Sequence, residues 1–163
     1  MLASYDLAEG QFKKAIDLNP NFFVTHYHLA WLYSQFGQYE SAISKLTKGR
    51  LLSGDDLTVK AAAPDEVALR KALAAQGARG FWQQVLRSNQ KLVGNIGEFD
   101  APQIYARLGD TQNALESLNR NYEERRALGT LLNVDPAFDS LRSDQRFGNL
   151  VRRMGLTASA KAD

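Results

Sequence analysis

Few side chains in this chain are of a type and spacing that could do chemistry. His26 and His28 are its only histidines. At i, i+2 on a helix they point about 200° apart, so they cannot share a metal ion as an i, i+4 pair can. Asp55-Asp56 and Asp65-Glu66 are adjacent acids with no companion base or glycine-rich loop. Loop solvation accounts for the first pair, and charge at a helix N-terminus for the second. No Gly-x-Gly-x-x-Gly, Walker or Gly-x-Ser-x-Gly string occurs. With no cysteine there is no thiolate nucleophile, thiolate metal site or disulfide. Arg120, Arg125, Arg126, Arg142, Arg146, Arg152 and Arg153 could meet phosphate or an acidic partner. Glu123, Glu124, Asp139 and Asp144 interleave with them, as on a mixed, solvated face. The expectation is a chain that is not an enzyme, with no catalytic residue, metal ligand or cofactor.

Bulk properties narrow the classes further. The net charge is +2 and the pI about 8.9, too mild for the basic face that nucleic acid demands. At 44% hydrophobic and 23% charged, the 163 residues describe an ordinary soluble globular chain of single-domain length. No run approaches the roughly 18 apolar residues of a membrane span. Met1 to Asp6 has neither the basic nor the apolar region of a secretory signal.

Self-similarity carries the most information. Tyr5, Ala8, Phe12, Ala15 and Pro20 are followed 34 residues later by Tyr39, Ala42, Leu46, Gly49 and Gly54, matched in size class. Phe23 to Phe36 reads as one helix, opened by Asn19-Pro20-Asn21 and closed by Gly37, with Leu29, Ala30 and Tyr33 on one stripe. Tyr39 to Leu52 reads as its antiparallel partner, with Ala42, Ile43, Leu46 and Gly49 at helical spacing. The small residues Ala30, Ala42 and Gly49 suit close approach of two backbones.

Pro20, Leu29-Ala30, Tyr33, Gly37, Tyr39, Ala42 and Leu46 resemble the signature of the tetratricopeptide repeat (TPR) family. His26 stands at the family's usual tryptophan position, and Gly49 replaces its third small residue. The resemblance implies an all-α fold, antiparallel helix pairs stacked as a short right-handed TPR solenoid. In this register residues 1–20 are the second helix of a repeat whose first helix is missing, and 21–54 form a repeat. Asp55 to Ala63 reads as a loop. A degenerate repeat over 64–93 begins at Pro64, with Gly77 ending its first helix and Trp82, Val85 and Leu86 on its second. A further repeat over 98–126 matches Tyr33, Gly37, Ala42 and Leu46 with Tyr105, Gly109, Ala114 and Leu118, 72 residues on. Asp100 and Thr111 are read as its helix caps. Residues 135–156 read as C-terminal capping helices, opened by Asp135-Pro136 and Ser143, with Phe147, Leu150, Val151 and Met154 on one face. The domain spans 1–156, and 157–163 reads as a disordered tail.

Residues 65–156 carry a second resemblance, through Ile104 to Asp110, Tyr122 to Arg125 and Val134 to Phe147. They are similar to the C-terminal TPR region of large bacterial regulators that bear winged-helix, protein-kinase or cyclase domains. Gln145 stands where that group usually has proline.

TPR geometry implies a concave docking face. Its positions fall on Val24, Tyr27, Trp31, Ser34 and Gln35 in one repeat, and on Phe99, Gln103, Ala106 and Arg107 in another. The leading expectation is therefore a non-catalytic protein- or peptide-binding scaffold, the docking or sensing part of a bacterial regulator. The alternative is a self-association module, using the α-helical face of Tyr5, Ala8, Phe12 and Ala15 to recruit a second copy. Nucleic-acid binding is the weakest class, and membrane insertion is not expected. The expected compartment is the cytoplasm, or the periplasm if the parent protein is membrane-anchored.

Overall fold

The computed structural model describes residues 2–91, 101–124, 132 and 134–156. Among them every regular element is helical and there is no strand. The chain divides into two compact units, Met1–Ser88 and Asn89–Asp163.

The first unit is built on α1 (Leu2–Leu18), α2 (Phe23–Gln35), α3 (Tyr39–Leu51) and most of α4 (Asp56–Lys91). Short links leave successive helices no option but to run antiparallel. Along α1 and α2 the contacts run in opposite order. Tyr5 meets Phe36 with ring centroids 4.2 Å apart, Glu9 accepts a 2.9 Å hydrogen bond from the Tyr33 hydroxyl, and Phe12 stacks on His28 at 6.0 Å. Tyr5 is 7% exposed. Two positions of the α1 stripe expected to await a second copy are thus met by the chain's own α2.

Between α2 and α3 the chain turns at Gly37, whose φ of 73° suits glycine alone among ordinary residues. The Gln38 amide then donates to the Tyr33 carbonyl at 2.9 Å, the reach-back bond of a helix C-cap. Gly49 lets the two helices close together. A Cβ there would lie 3.3 Å from the Phe23 carbonyl oxygen and 3.4 Å from the Tyr27 ring. Leu29, Ala30, Tyr33, Ala42 and Ile43 are buried as their spacing requires.

The helix α4 differs from expectation at its start. It begins at Asp56, so most of the expected loop 55–63 is helical and Pro64 lies inside the helix. Asp55 explains the earlier start, because its carboxylate accepts from the Thr58 amide at 2.8 Å and caps the helix. Pro64 removes one helical hydrogen bond, from the carbonyl of Lys60, but both residues are exposed and water can take its place. At Gly77 the backbone leaves helical geometry (φ 57°, ψ −143°), and the helix folds back as two limbs. The second limb reaches Lys91; residues 92 and 93 lie outside the described residues.

The second unit holds α5 (Ala101–Leu108), α6 (Thr111–Glu123), a 3-10 helix (Pro136–Leu141) and α7 (Gln145–Arg153). The turn between α5 and α6 repeats that between α2 and α3. Gly109 has φ 79°, and the Asp110 amide donates to the Tyr105 carbonyl at 2.9 Å. The 72-residue correspondence is therefore one of turn chemistry as well as of residue type.

Two expected caps sit one residue off. Asp110, not Thr111, caps α6 by accepting from the Asn113 amide at 3.1 Å, and Asp144, not Ser143, caps α7 through the Arg146 amide at 2.8 Å. In each case the carboxylate beside the expected hydroxyl reaches the free amides instead, one residue before it at Asp110 and one after it at Asp144. Asp135 caps the 3-10 helix as expected, at 2.8 Å from the Ala137 amide. Phe138, Phe147, Leu150 and Val151 join Leu115 and Leu118 in one core. The expected helix start at Asp100 and the tail 157–163 lie outside the described residues.

Candidate functional site

The face expected to bind a partner begins on α2. Val24, Tyr27, Trp31 and Gln35 are all half-buried, in keeping with a helix face that packs at its margins. Tyr27 turns its ring edge-on to Phe23, with centroids 6.0 Å apart, and lies against Gly49. Burial pushes its phenol above the usual tyrosine range, opposed by the Arg50 guanidinium. Ser34 is buried at 3% exposure and its hydroxyl donates to the Trp31 carbonyl at 2.7 Å. It sits beneath the face and supports Trp31, because a serine hydroxyl on a packed helix is satisfied by the carbonyl of the preceding turn.

Trp31 stands edge-on to Trp82 of the second limb of α4, with ring centroids 5.6 Å apart at 72°. Trp82 is 4% exposed and also touches Tyr39 at 6.4 Å, while Phe81 packs on Tyr39 at 4.8 Å. The fold thus walls one side of the α2 face with aromatic rings of its own and leaves part of Trp31 accessible. Perpendicular rings of this kind favour contact of a positive edge with a negative face.

In the second unit Gln103 is 8% exposed and Ala106 5%, and Ala106 belongs to the hydrophobic core. These two positions were expected on an open face, but α5 is short and must spend this face on α6 and the 3-10 helix. Arg107 is half-buried, and Phe99 lies outside the described residues. The structure therefore brings Val24, Tyr27, Trp31 and Gln35 together on one helix, and it holds Gln103 and Arg107 separately on α5.

Beside Tyr27 lies a polar centre that the sequence reading missed. Arg50 is 2% exposed and its Nη1 lies 2.5 Å from Asp65 Oδ2. Ser88 donates to the other Asp65 oxygen at 2.6 Å. Burial pulls the Arg50 guanidinium below its usual range, and the Asp65 charge opposes this. One carboxylate thus joins α3 to both limbs of α4. Asp65 was assigned to a helix N-terminus, but α4 starts nine residues earlier, and the ion pair replaces that explanation. Glu66 is likewise paired, with Arg70 Nη2 at 2.9 Å. The signal available was Arg50 at i+7 from Ile43 on the buried stripe of α3, where a charge needs a partner.

The C-terminal arginines hold structure together. Arg146 donates to Gln112 at 2.8 Å and pairs with Asp144 at 2.8 Å, while Arg142 pairs with Asp139 at 2.8 Å. Arg153 lies over the Tyr122 ring, 4.8 Å from its centroid, and the Tyr122 hydroxyl donates to the Arg153 carbonyl at 3.1 Å. Among the described residues no group of three or more His, Asp or Glu side chains is placed to hold a metal ion. Among the same residues no helix is long and apolar enough to cross a membrane.

No curated protein and no solved structure matches the chain. The Tetratricopeptide repeat family model matches residues 11–44, one 34-residue repeat length running from the middle of α1 through all of α2 into α3.

Proposed function

We propose that this chain is a non-catalytic scaffold that docks another protein or peptide on the α2 face formed by Val24, Tyr27, Trp31 and Gln35. The observation that carries the reading is the match to a tetratricopeptide repeat centred on α2, a repeat type that generally mediates protein–protein interaction. Trp31 supports it physically. A half-buried tryptophan held edge-on by Trp82 loses little side-chain freedom on binding, and rigid aromatic anchors are enriched at binding hot spots. Gln35 adds an amide suited to an extended backbone. Arg107 on α5 offers a carboxylate-binding group in the second unit.

The wider setting we propose is the docking or sensing part of a bacterial regulatory protein, in the cytoplasm, or in the periplasm if its parent is membrane-anchored. The motive is the likeness of residues 65–156 to the C-terminal regions of such regulators. The test is affinity capture from bacterial lysate with the native chain, with Trp31→Ala and with Arg107→Glu, followed by direct titration of any captured protein. Loss of a partner in Trp31→Ala at unchanged helicity is the expected result. Equal capture by the native chain and Trp31→Ala would remove the α2 face from consideration.

A further inference from the structure

We propose that one end of the first unit is a self-association surface whose occupant is a second copy of this chain. The antiparallel order of α1, α2, α3 and α4 brings the last residue of α1, the residue before α2, the last residue of α3 and the second residue of α4 to the same end. All four are large and apolar. Leu18 is 88% exposed, Phe22 48%, Leu51 49% and Leu57 71%. They are half of the eight large apolar side chains exposed among the described residues, gathered where four elements end. Scattered exposed leucines are ordinary, whereas apolar groups collected in one place mark a surface that is covered in use.

The charges around this end select the occupant. Lys14 lies one turn before Leu18 and Asp17 beside it, Lys48 one turn before Leu51, and Asp55, Asp56 and Lys60 around Leu57, all of them exposed. None of the six charged groups forms an ion pair with another described residue of its own chain. Three acids and three lysines give a rim of no net charge. A polyanion, an anionic lipid surface or a strongly basic segment meets repulsion there as often as attraction. A second copy related by a two-fold axis sets apolar against apolar and offers each aspartate a lysine. The surface is separate from the α1 stripe of Tyr5 and Phe12, which α2 occupies, and it does not depend on the α2 docking face.

Light scattering and sedimentation of the full chain over a wide concentration range test the proposal. Three proteins are compared: the native chain, Leu18→Asp with Leu57→Asp, and Val67→Asp, the last altering an apolar residue that is 68% exposed but far along α4. The native mass is expected to climb from one chain toward two. The Leu18/Leu57 variant is expected to stay at one chain, its association weakened at least about tenfold, while Val67→Asp follows the native protein. Leu18→Gln with Leu57→Gln, which introduces no charge, is expected to weaken association in the same direction. A native chain that keeps the mass of one copy throughout overturns the proposal. So does association that survives both Leu18/Leu57 variants, or that Val67→Asp abolishes equally.

Discussion

Arg50 and Asp65, fifteen residues apart, form a buried ion pair with Nη1 2.5 Å from Oδ2, and a third partner, Ser88, donates to the same carboxylate at 2.6 Å. The pair fixes α4 against α3 at the level where Tyr27 packs. Removing one partner of a buried pair leaves an uncompensated charge, which costs about 3–5 kcal/mol. Asp65→Ala is therefore expected to lose stability of that order in chemical denaturation. Arg50→Met with Asp65→Leu, which removes both charges, is expected to lose much less. A loss under about 1 kcal/mol for Asp65→Ala, the size seen for surface pairs, contradicts the assignment.

The two limbs of α4 touch at Gly80. A Cβ at this position would lie 2.1 Å from the Ala72 carbonyl oxygen, and a backbone atom cannot swing aside. Gly80→Ala is expected to push the limbs apart and to cost at least about 1–3 kcal/mol. Gly10→Ala, where a Cβ meets nothing within 4 Å, serves as the control and is expected to be neutral or stabilising. Thermal melts of the two variants make the comparison, and equal melting temperatures would refute the close approach.

Trp82 and Trp31 touch but differ in role. Trp82 is 4% exposed, so Trp82→Ala is expected to cost about 3–5 kcal/mol through lost burial and the cavity left behind. Trp31 is half-buried, and Trp31→Ala is expected to cost clearly less while carrying the loss of partner binding. Denaturation midpoints in the reverse order would show Trp31 to be a core residue.

Tyr33 gives the α1–α2 seam a dependence on high pH. Burial, then the hydrogen bond to Glu9, then the Glu9 charge push its phenol up to about 12. The unfolded chain releases this proton near 10, before the folded chain does, so Tyr33 stabilises the fold fully below about pH 10. That contribution drains away as pH rises toward 12. The stability of the native chain relative to Tyr33→Phe should fall across this window. A constant difference from pH 8 to 12 contradicts the assignment.

The helices were legible in the sequence wherever punctuation and periodicity agreed. Gly37 and Gly109 end helices because their positive φ admits little else, and Asn19-Pro20 and Asp135-Pro136 mark starts. The start of α4 was not legible from Pro64, since a proline inside a helix loses its bond to the i−4 carbonyl and crowds it, and therefore reads as a first-turn residue. The Asp55 cap decides that boundary instead. The caps at Asp110 and Asp144 were misplaced by one residue because neighbouring hydroxyl and carboxylate side chains carry the same signal.

The candidate site was legible only in part. Repeat register gave the α2 positions, but register alone does not say which neighbouring helix covers them. Ser34 and Gln103 are both buried although their register places them on that face. The Trp31–Trp82 contact and the Ser88–Asp65 hydrogen bond depend on how α4 folds back at Gly77, a three-dimensional fact with no local sequence signature beyond the glycine itself.

The most direct test of the docking face places a photo-crosslinking amino acid at position 24 of α2, and separately at position 41 on the exposed side of α3 and away from the Leu51 end, in the otherwise native chain. The account predicts a discrete crosslinked partner protein from position 24 and none from position 41. No crosslink from position 24, or the same products from both positions, would contradict it.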